Sequence, residues 1–482
     1  MTTVDRSGSL TALSTLLVQA MDALAQGGPD LAERAVELKD MVTRAPRVAV
    51  VGRLKAGKST LVNALTEHHT AATGTLECTM AVSLYLDGQP ARAEVLGLDG
   101  RVDRVTLGAG PLTDLPRPLE EIDHIRQYLP NARLRELSLI DTPGTATLTV
   151  ENEQRTRRAL IDGRQDTRRA SSWADCVVFL SDSAPRDDER AFLADLGMTP
   201  LSTIGVLSRA DSFGAGAFGP RDPLEHAREH AQRIAAQLGT SVSTVLPLSG
   251  LLAETAGTGQ VTGEIARNLA QLADLDRDTL LDVVELDDPA VIVPGFTAAM
   301  RDDLLDRLGE YGLVHGRAVA RDRGAVGLVE WMTRASGVEE LTDLLTGDFA
   351  YFAVLQRAVR VLDELDELSA SHPNRDHVRW VRSVTLAQPG MHFVALYRSY
   401  RNTIAATPDS HLLEPLRRAI TAVDPAGVVG LPHGTPADQV RSAHEQALGE
   451  LQEMAMTPLS AAEDEARERL LGAHQAALQA MR

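Results

Sequence analysis

The chain has 482 residues, of which 44% are apolar and 4% aromatic, and its formal net charge is -19. Its length and apolar content allow more than one packed core. The acidic balance excludes a general nucleic-acid binder, because phosphate contacts need clustered positive charge. Two cysteines, Cys78 and Cys176, supply neither a disulfide framework nor a metal-binding spacing, as expected of a chain in a reducing cytoplasm.

In chain order, the opening "MTTVDRSGSL" lacks the basic start and apolar middle of a secretory signal and has no lipidation box. Leu10, Leu13, Leu16, Leu17, Ala20, Met21 and Leu24 follow a 3.6-residue period that "GGPD" breaks, and a second helical pattern runs from Asp30 to Thr43. From Arg47 the pattern changes to short β-rich runs, "RVAVVG", "LSLIDTPG", "DCVVFLSD", "STIGVLSRAD" and "STVLPLSG", separated by helical stretches. Near-continuous Val, Ile and Leu runs alternating with helices predict a mostly parallel sheet covered on both faces. The runs at 81–87 and 91–97, with "DGQP" between them, read as an antiparallel hairpin at one edge.

Beyond about residue 290 only helical periodicity remains, over Met300–Leu313, Val338–Leu368, Met391–Ile404, His411–Val423, Ala437–Met456 and Ser460–Met481. Leu341, Leu344, Leu345, Phe349, Phe352, Leu355, Leu362 and Leu365 form one long stripe, and Ser460 with Glu463 makes a capping box for the last helix. No apolar run approaches the roughly 18 residues that span a bilayer. The expected fold is an α/β P-loop domain with a mixed, mostly parallel sheet over 47–290. Residues 1–46 and 291–482 are expected to supply a long all-α bundle.

The chemistry concentrates in four motifs, each at a strand's C-terminal end, where open α/β sheets bind ligands. Gly52-Arg53-Leu54-Lys55-Ala56-Gly57-Lys58-Ser59, with Thr60 following, matches G-x-x-x-x-G-K-[ST] between a strand and a helix. Its amides and helix N-terminus suit phosphates, Lys58 the β- and γ-phosphates, and Ser59 Mg²⁺. Asp141-Thr142-Pro143-Gly144 offers a carboxylate to Mg²⁺ through water and the Gly144 N–H to the γ-phosphate. Ser208-Arg209-Ala210-Asp211 fits the base-reading pattern [NT]-K-x-D, in which a carboxylate accepts from guanine N1 and N2; Ser249-Gly250 offers backbone N–H to guanine O6. The order of the four predicts a GTPase domain that takes GTP and Mg²⁺. The 13 histidines show no ligand spacing, so no other metal is expected.

"VGRLKAGKSTLVNAL", "ECTMAV", "LIDTPGT", "CVVFL", "VLSRAD" and "LPLSGLLA", and less specifically "LLDRLGEYGL" and "ASGVEELTDLL", resemble the dynamin-like GTPases. Residues 47–482 look most like the actinobacterial branch that includes the mycobacterial isoniazid-inducible proteins. The resemblance implies a GTPase head on a helical neck and trunk, nucleotide-dependent pairing of heads into a dimer or homo-oligomer, and membrane remodelling or tethering. It implies a cytoplasmic protein peripherally associated with the inner face of the cell membrane, a second dynamin-like subunit as partner, and work at division septa or the envelope. The family's first-switch threonine falls on Thr79 in "LECTM", where it would hold Mg²⁺ and the attacking water; Thr73 and Thr75 are the alternatives. Thr145 stands where small GTPases carry a water-orienting Gln, which dynamins also lack.

Position 55 carries Ser in many dynamins and an Arg finger in guanylate-binding proteins. Lys55 is one of three lysines against 45 arginines, and reads either as a built-in cation between the β- and γ-phosphates or as a solvated loop residue. Arg155, Arg157, Arg158, Arg164, Arg168 and Arg169 read as a partner-facing surface or as a helix face paired with nearby acids. The loop 424–438 with Val428, Val429 and Leu431 reads as a shallow membrane wedge or a plain linker. Two rival functions stay open: a slow GTP-binding scaffold for a paired subunit, and an Era-like GTPase on ribosomes, against which the acid balance counts.

Overall fold

The computed structural model describes residues 6–53, 55–71, 81–108, 110, 112, 114–142, 174–184, 186, 190, 193 and 198–481. The chain divides into a sheet-bearing unit, residues 45–349, and a helical unit made of residues 1–44 and 350–482. The expected division at 290 falls earlier than this one.

The sheet has nine strands: β1 Arg47–Gly52, β2 Ser83–Asp87, β3 Arg92–Gly97, β4 Val102–Thr106, β5 Ile122–Leu129, β6 Ser138–Asp141, β7 Cys176–Ser181, β8 Thr203–Ser208 and β9 Val245–Leu248, in the order β4-β3-β5-β2-β6-β1-β7-β8-β9. The half β6-β1-β7-β8-β9 is wholly parallel. Every residue of β6, β7 and β8 is buried, as two covered faces require. The other half carries the antiparallel pairs β2–β6, β3–β5 and β3–β4.

The expected hairpin of 81–87 with 91–97 does not form. β2 pairs in parallel with β5, and β5 then separates it from β3. The reason is burial: β2 starts with three consecutive buried residues and takes an interior place, whereas β4 alternates between exposed and half-buried and takes the edge. Sequence reading passed over β5, whose "IDHIRQYL" mixes polar residues into a buried strand.

Helix α3, Lys58–Thr66, packs on β1 and β6. Helix α5, Pro223–Gln237, closes another side of the sheet: its Ala227, Ala231 and Ile234 share a core with Ala49, Val51 and Phe179. Between them in sequence lies the single turn α4, Arg133–Glu136. Asp222 caps α5 by accepting from the Leu224 N–H at 2.8 Å.

Helices α6 Gly250–Gly257, α7 Gly263–Ala270 and α8 Arg277–Glu285 share a second core with the long α9, Ala298–Ser336, through Leu252, Leu269, Leu280, Leu304, Leu308 and Leu313. This core places α9 in the sheet-bearing unit, past the expected boundary. Helix α9 changes direction at Gly309 (φ 64°, ψ 178°) and Gly324 (φ 62°, ψ -159°), conformations that a β-carbon disfavours. The stripe from Val338 to Leu368, expected as one helix, is two: α10 Val338–Thr346 and α11 Asp348–Ser371, interrupted at Gly347.

The helical unit joins the two ends of the chain. Helices α1 Arg6–Leu24 and α2 Pro29–Thr43 lie with α11, α12 Arg375–Leu386, α13 Met391–Ala406, α14 Leu413–Thr421, the single turn α15 Pro425–Val428, α16 Ala437–Glu453 and α17 Ala461–Ala480. Arg34 of α2 clasps Glu364 of α11 with two bonds of 2.7 Å, and the fully buried Arg357 donates to the Arg44 carbonyl at 2.7 Å, at the end of α2. The Ser460 capping box forms as expected, with Glu463 N–H to Ser460 Oγ at 3.3 Å and Ser460 N–H to Glu463 Oε2 at 3.0 Å. Within 424–438, Val428, Val429 and Leu431 are half-buried. Among the described residues no helix is long and apolar enough to cross a membrane.

Candidate active site

The parallel register sets the site. Val50 of β1 lies beside Asp141 of β6, and Gly52 beside Leu180 of β7, so the ends of three strands meet the first turn of α3. At Gly52 (φ 152°) a β-carbon would stand 2.4 Å from the Leu180 carbonyl oxygen, so only glycine lets the chain leave the sheet there. Gly57 (φ 93°) is the N-cap of α3 and faces open space.

Lys58 is 6% exposed, and its Nζ donates to the carbonyls of Gly52 at 3.1 Å and Arg53 at 2.8 Å. An ammonium has three N–H donors, so two fix the side chain across its own loop and the third remains for a phosphate oxygen. Burial holds the Lys58 pKa below its ordinary value, and the Asp141 carboxylate opposes that. Asp141 is itself pushed up to about 6 by burial, with Lys58 and the Thr142 N–H acting in the other direction. Thr142 anchors the strand end by donating to the Val50 carbonyl at 2.8 Å.

The Asp141 Oδ1 atom is buried without a hydrogen-bond partner. A desolvated, unpartnered carboxylate oxygen is the donor a hard divalent cation takes, directly or through water. Ser59, in the first turn of α3, is half-buried and supplies a hydroxyl. These residues fit Mg²⁺.

At the base end, Ser208 closes β8 with its hydroxyl 3.4 Å from the Ser181 carbonyl. Arg209 adopts φ 55°, and its Nη2 donates to the Lys55 carbonyl at 3.0 Å, so the turn after β8 is tied directly to the loop after β1. Asp211 accepts from the Ser249 hydroxyl; burial raises its pKa, while Ser249 and Arg209 lower it. Ser249 caps α6 and is fully buried, and a β-carbon on Gly250 would lie 3.2 Å from Thr60 of α3.

Gly52, Arg53, Lys55, Ala56, Gly57, Lys58, Ser59, Thr60, Asp141, Ser208, Arg209, Asp211, Ser249 and Gly250 therefore line one end of the sheet. Lys55 is exposed, with the left-handed φ of 62°. Leu54, Thr73, Thr75, Thr79, Gly144, Thr145 and the arginines from 155 to 169 lie outside the described residues. Sequence reading missed two buried polar neighbours, Asn63 in α3 and Glu254 in α6. Their signal was an amide and a carboxylate inside the apolar runs "LVNAL" and "GLLAETAG".

The family model described as 50S ribosome-binding GTPase matches residues 47–205. The isoniazid-induced protein IniC of Mycobacterium tuberculosis, in each of two strains, is 33% identical over 347 residues, covering 68% of this chain and 67% of its own length. The chain belongs to the bacterial dynamin-like GTPases. A chain from an oligomerised bacterial dynamin pair, described as giving a mechanism for the long-range sensing and tethering of membranes, is also similar. That match has 12% identity, 100% coverage of this chain, 76% coverage of the other and a TM-score of 0.36. As a dynamin-like GTPase the protein is a GTP hydrolase, and its sequence carries Ser208-Arg209 at the place where the base-reading pattern has Asn-Lys or Thr-Lys.

Proposed function

We propose that this dynamin-like GTPase binds GTP with Mg²⁺ and couples nucleotide-dependent pairing of its sheet-bearing units to movement of its helices, so as to remodel or tether membrane. The nucleotide part is supported by one observation above all: the Arg209 guanidinium is bonded to the Lys55 carbonyl, which ties the turn after β8 to the glycine-bounded loop after β1. Ser59 and Asp141 would hold Mg²⁺, with Thr79 as the third expected ligand; the ion supplies positive charge to the β- and γ-phosphate oxygens. Lys58 orients the phosphates with its remaining N–H. Asp211 selects guanine by accepting from N1 and N2, since adenine offers the half-buried carboxylate no such pair of donors and leaves it only the Ser249 hydroxyl.

Lys55 acts as the cation over the charge that develops between β- and γ-phosphates. Its backbone is pinned by Arg209 while its side chain is exposed and free to swing. The membrane part rests on family membership, and so do a cytoplasmic place at the inner face of the cell membrane and a second dynamin-like subunit as partner. A slower, scaffolding role is favoured by one feature, the short Ser208 in the base-reading motif, and steady-state turnover with and without lipid separates the two.

The test is sedimentation of the full chain with anionic vesicles, with and without GDP and aluminium fluoride as a transition-state mimic. Co-sedimentation that rises with the mimic supports the reading. Equal recovery in the supernatant under both conditions overturns its membrane part.

A further inference from the structure

The mechanism above leaves without a role a polar network that starts from two buried side chains, Asn63 and Glu254, and runs outward through the half-exposed His69, Gln260 and Arg307. Asn63, in the apolar face of α3, is 0% exposed. Its Oδ1 accepts from the Thr70 N–H at 3.1 Å and the Ala71 N–H at 2.8 Å. Its Nδ2 donates to the Ala71 carbonyl at 3.0 Å and to Glu254 Oε1 at 2.8 Å. An amide side chain has two donors and two acceptor lone pairs, and here all four are used. Three of the four bonds hold the backbone of Thr70 and Ala71, which directly precede residues 72–80 in sequence. A buried amide spent on loop backbone costs a core position, and it fixes residues 70–71 to the same helix that carries Lys58 and Ser59.

The network continues away from the nucleotide. The Glu254 carboxylate lies 3.2 Å from His69 Nδ1, and His69 Nε2 is 2.6 Å from Gln260 Nε2. Gln260 Oε1 accepts from Arg307 Nη1 at 3.4 Å. The directions agree: Arg307 donates to the Gln260 carbonyl and the Gln260 amide donates to His69 Nε2, which leaves the ring proton on Nδ1, the nitrogen that faces the Glu254 carboxylate at 3.2 Å. The hydroxyl of Thr255, next to Glu254, donates to the Arg307 carbonyl at 2.6 Å. Arg307 stands two residues before Gly309, where α9 changes direction. At that break a β-carbon would lie 3.3 Å from Leu251 of α6 and 3.9 Å from the Asp211 carboxylate.

From this geometry we propose that Asn63 and Glu254 are positioning residues for hydrolysis. They fix the root of the first switch to α3 and, through His69, Gln260 and Arg307, tie it to the Gly309 break in α9. Neither residue reaches the phosphates or the base; they act through the segment 70–71. The inference rests on reading 72–80 as the first switch. A change in nucleotide state that moves the switch root must then stretch or release bonds that end at α9, and this gives the helix a direct mechanical link to the site.

A purely structural role would lower thermal stability and leave the folded fraction's chemistry intact. A positioning role splits binding from turnover. The experiment measures fluorescent-GTP affinity and turnover at saturating GTP for the full chain and for Asn63→Ala, Glu254→Gln, Gln260→Leu and Thr79→Ala. Asn63→Ala is expected to lower turnover at saturation at least about tenfold, equivalent to about 1.4 kcal/mol of barrier, with nucleotide affinity changed less than about threefold. Glu254→Gln retains the volume and the bond to Asn63, and guards against misfolding of the Asn63 variant. It removes the charge that orients His69 and is expected to cost roughly three- to tenfold in turnover. Gln260→Leu removes the side-chain link to Arg307 and leaves the Thr255 bond, and is expected to lower turnover by a smaller factor.

Native turnover at saturation in Asn63→Ala, or in Glu254→Gln if the first does not fold, overturns the proposal, provided Thr79→Ala is impaired. Native turnover in Thr79→Ala overturns the switch reading itself.

Discussion

Asp141 is the residue whose surroundings bear most directly on the proposed Mg²⁺. Its carboxyl is fully desolvated, lacks a partner at Oδ1 and is pushed up to about 6. A carboxyl whose folded pKa is raised contributes stability at pH below its unfolded value, and that contribution is lost as pH rises through the folded value. At pH 7.5 the ionised group is therefore a cost in the nucleotide-free protein, and Asp141→Asn is expected to raise its melting temperature. The same substitution should abolish the extra stabilisation by GTP that Mg²⁺ confers; thermal melts with GTP, with and without Mg²⁺, check both halves. Mg²⁺-dependent GTP affinity should also fall below about pH 6, where the carboxyl takes up a proton. Lys55 gives a second outcome at this scale. Lys55→Ala is expected to lower turnover at saturating GTP by roughly 10³-fold or more, the range of supplied fingers, and native turnover should be equal in Na⁺ and K⁺. The strand-end placement of the motifs was legible in the sequence because each follows a local apolar run directly. Asn63 and Glu254 were not, because their significance lies in what a buried amide meets across 191 residues of chain.

Elements were legible wherever apolar periodicity and end signals agreed. The strands RVAVVG and CVVFLS and the capped helix after Ser460 appear as the residues imply. Pairing was less legible, since β2 and β3 are sequence neighbours that β5 separates, and nothing in "IDHIRQYL" announces an interior strand. Gly347 split the long stripe because an apolar period survives a break that adds no phase error. In the helical unit, α16 and α17 meet through the buried pair His444 and His474, Nδ1 to Nδ1 at 2.8 Å, with His444 Nε2 bonded to the Pro425 carbonyl at 2.9 Å. That carbonyl requires an N–H on His444 Nε2, so His444 Nδ1 accepts and His474 Nδ1 donates; the pair is neutral. Burial, followed by the neighbouring His444, pushes His474 down to about 4. A histidine whose folded pKa is lowered favours the folded state above its unfolded value of about 6.5, and that support drains as pH falls toward the folded value. From pH 7 to pH 5 the helical unit should lose about 2 kcal/mol through this group. His474→Gln should flatten that slope in a pH series of thermal melts.

At the scale of the whole molecule, both ends of the chain build the helical unit, and the sheet-bearing unit holds the candidate nucleotide site and α9. Pairing of sheet-bearing units is expected only with the transition-state mimic. Sedimentation velocity checks this, and a mass that does not change between GDP and the mimic speaks against coupling of nucleotide to assembly. All of it depends on a purine triphosphate lying between the amides of the loop after β1 and the carboxylate of Asp211. The most direct measurement is a titration of the purified chain with labelled GTP and labelled ATP in the presence of Mg²⁺. The expected result is saturable GTP binding with ATP weaker by about two orders of magnitude or more, the discrimination that an unpaired buried polar group imposes. Binding of neither nucleotide, or equal binding of both, contradicts the account.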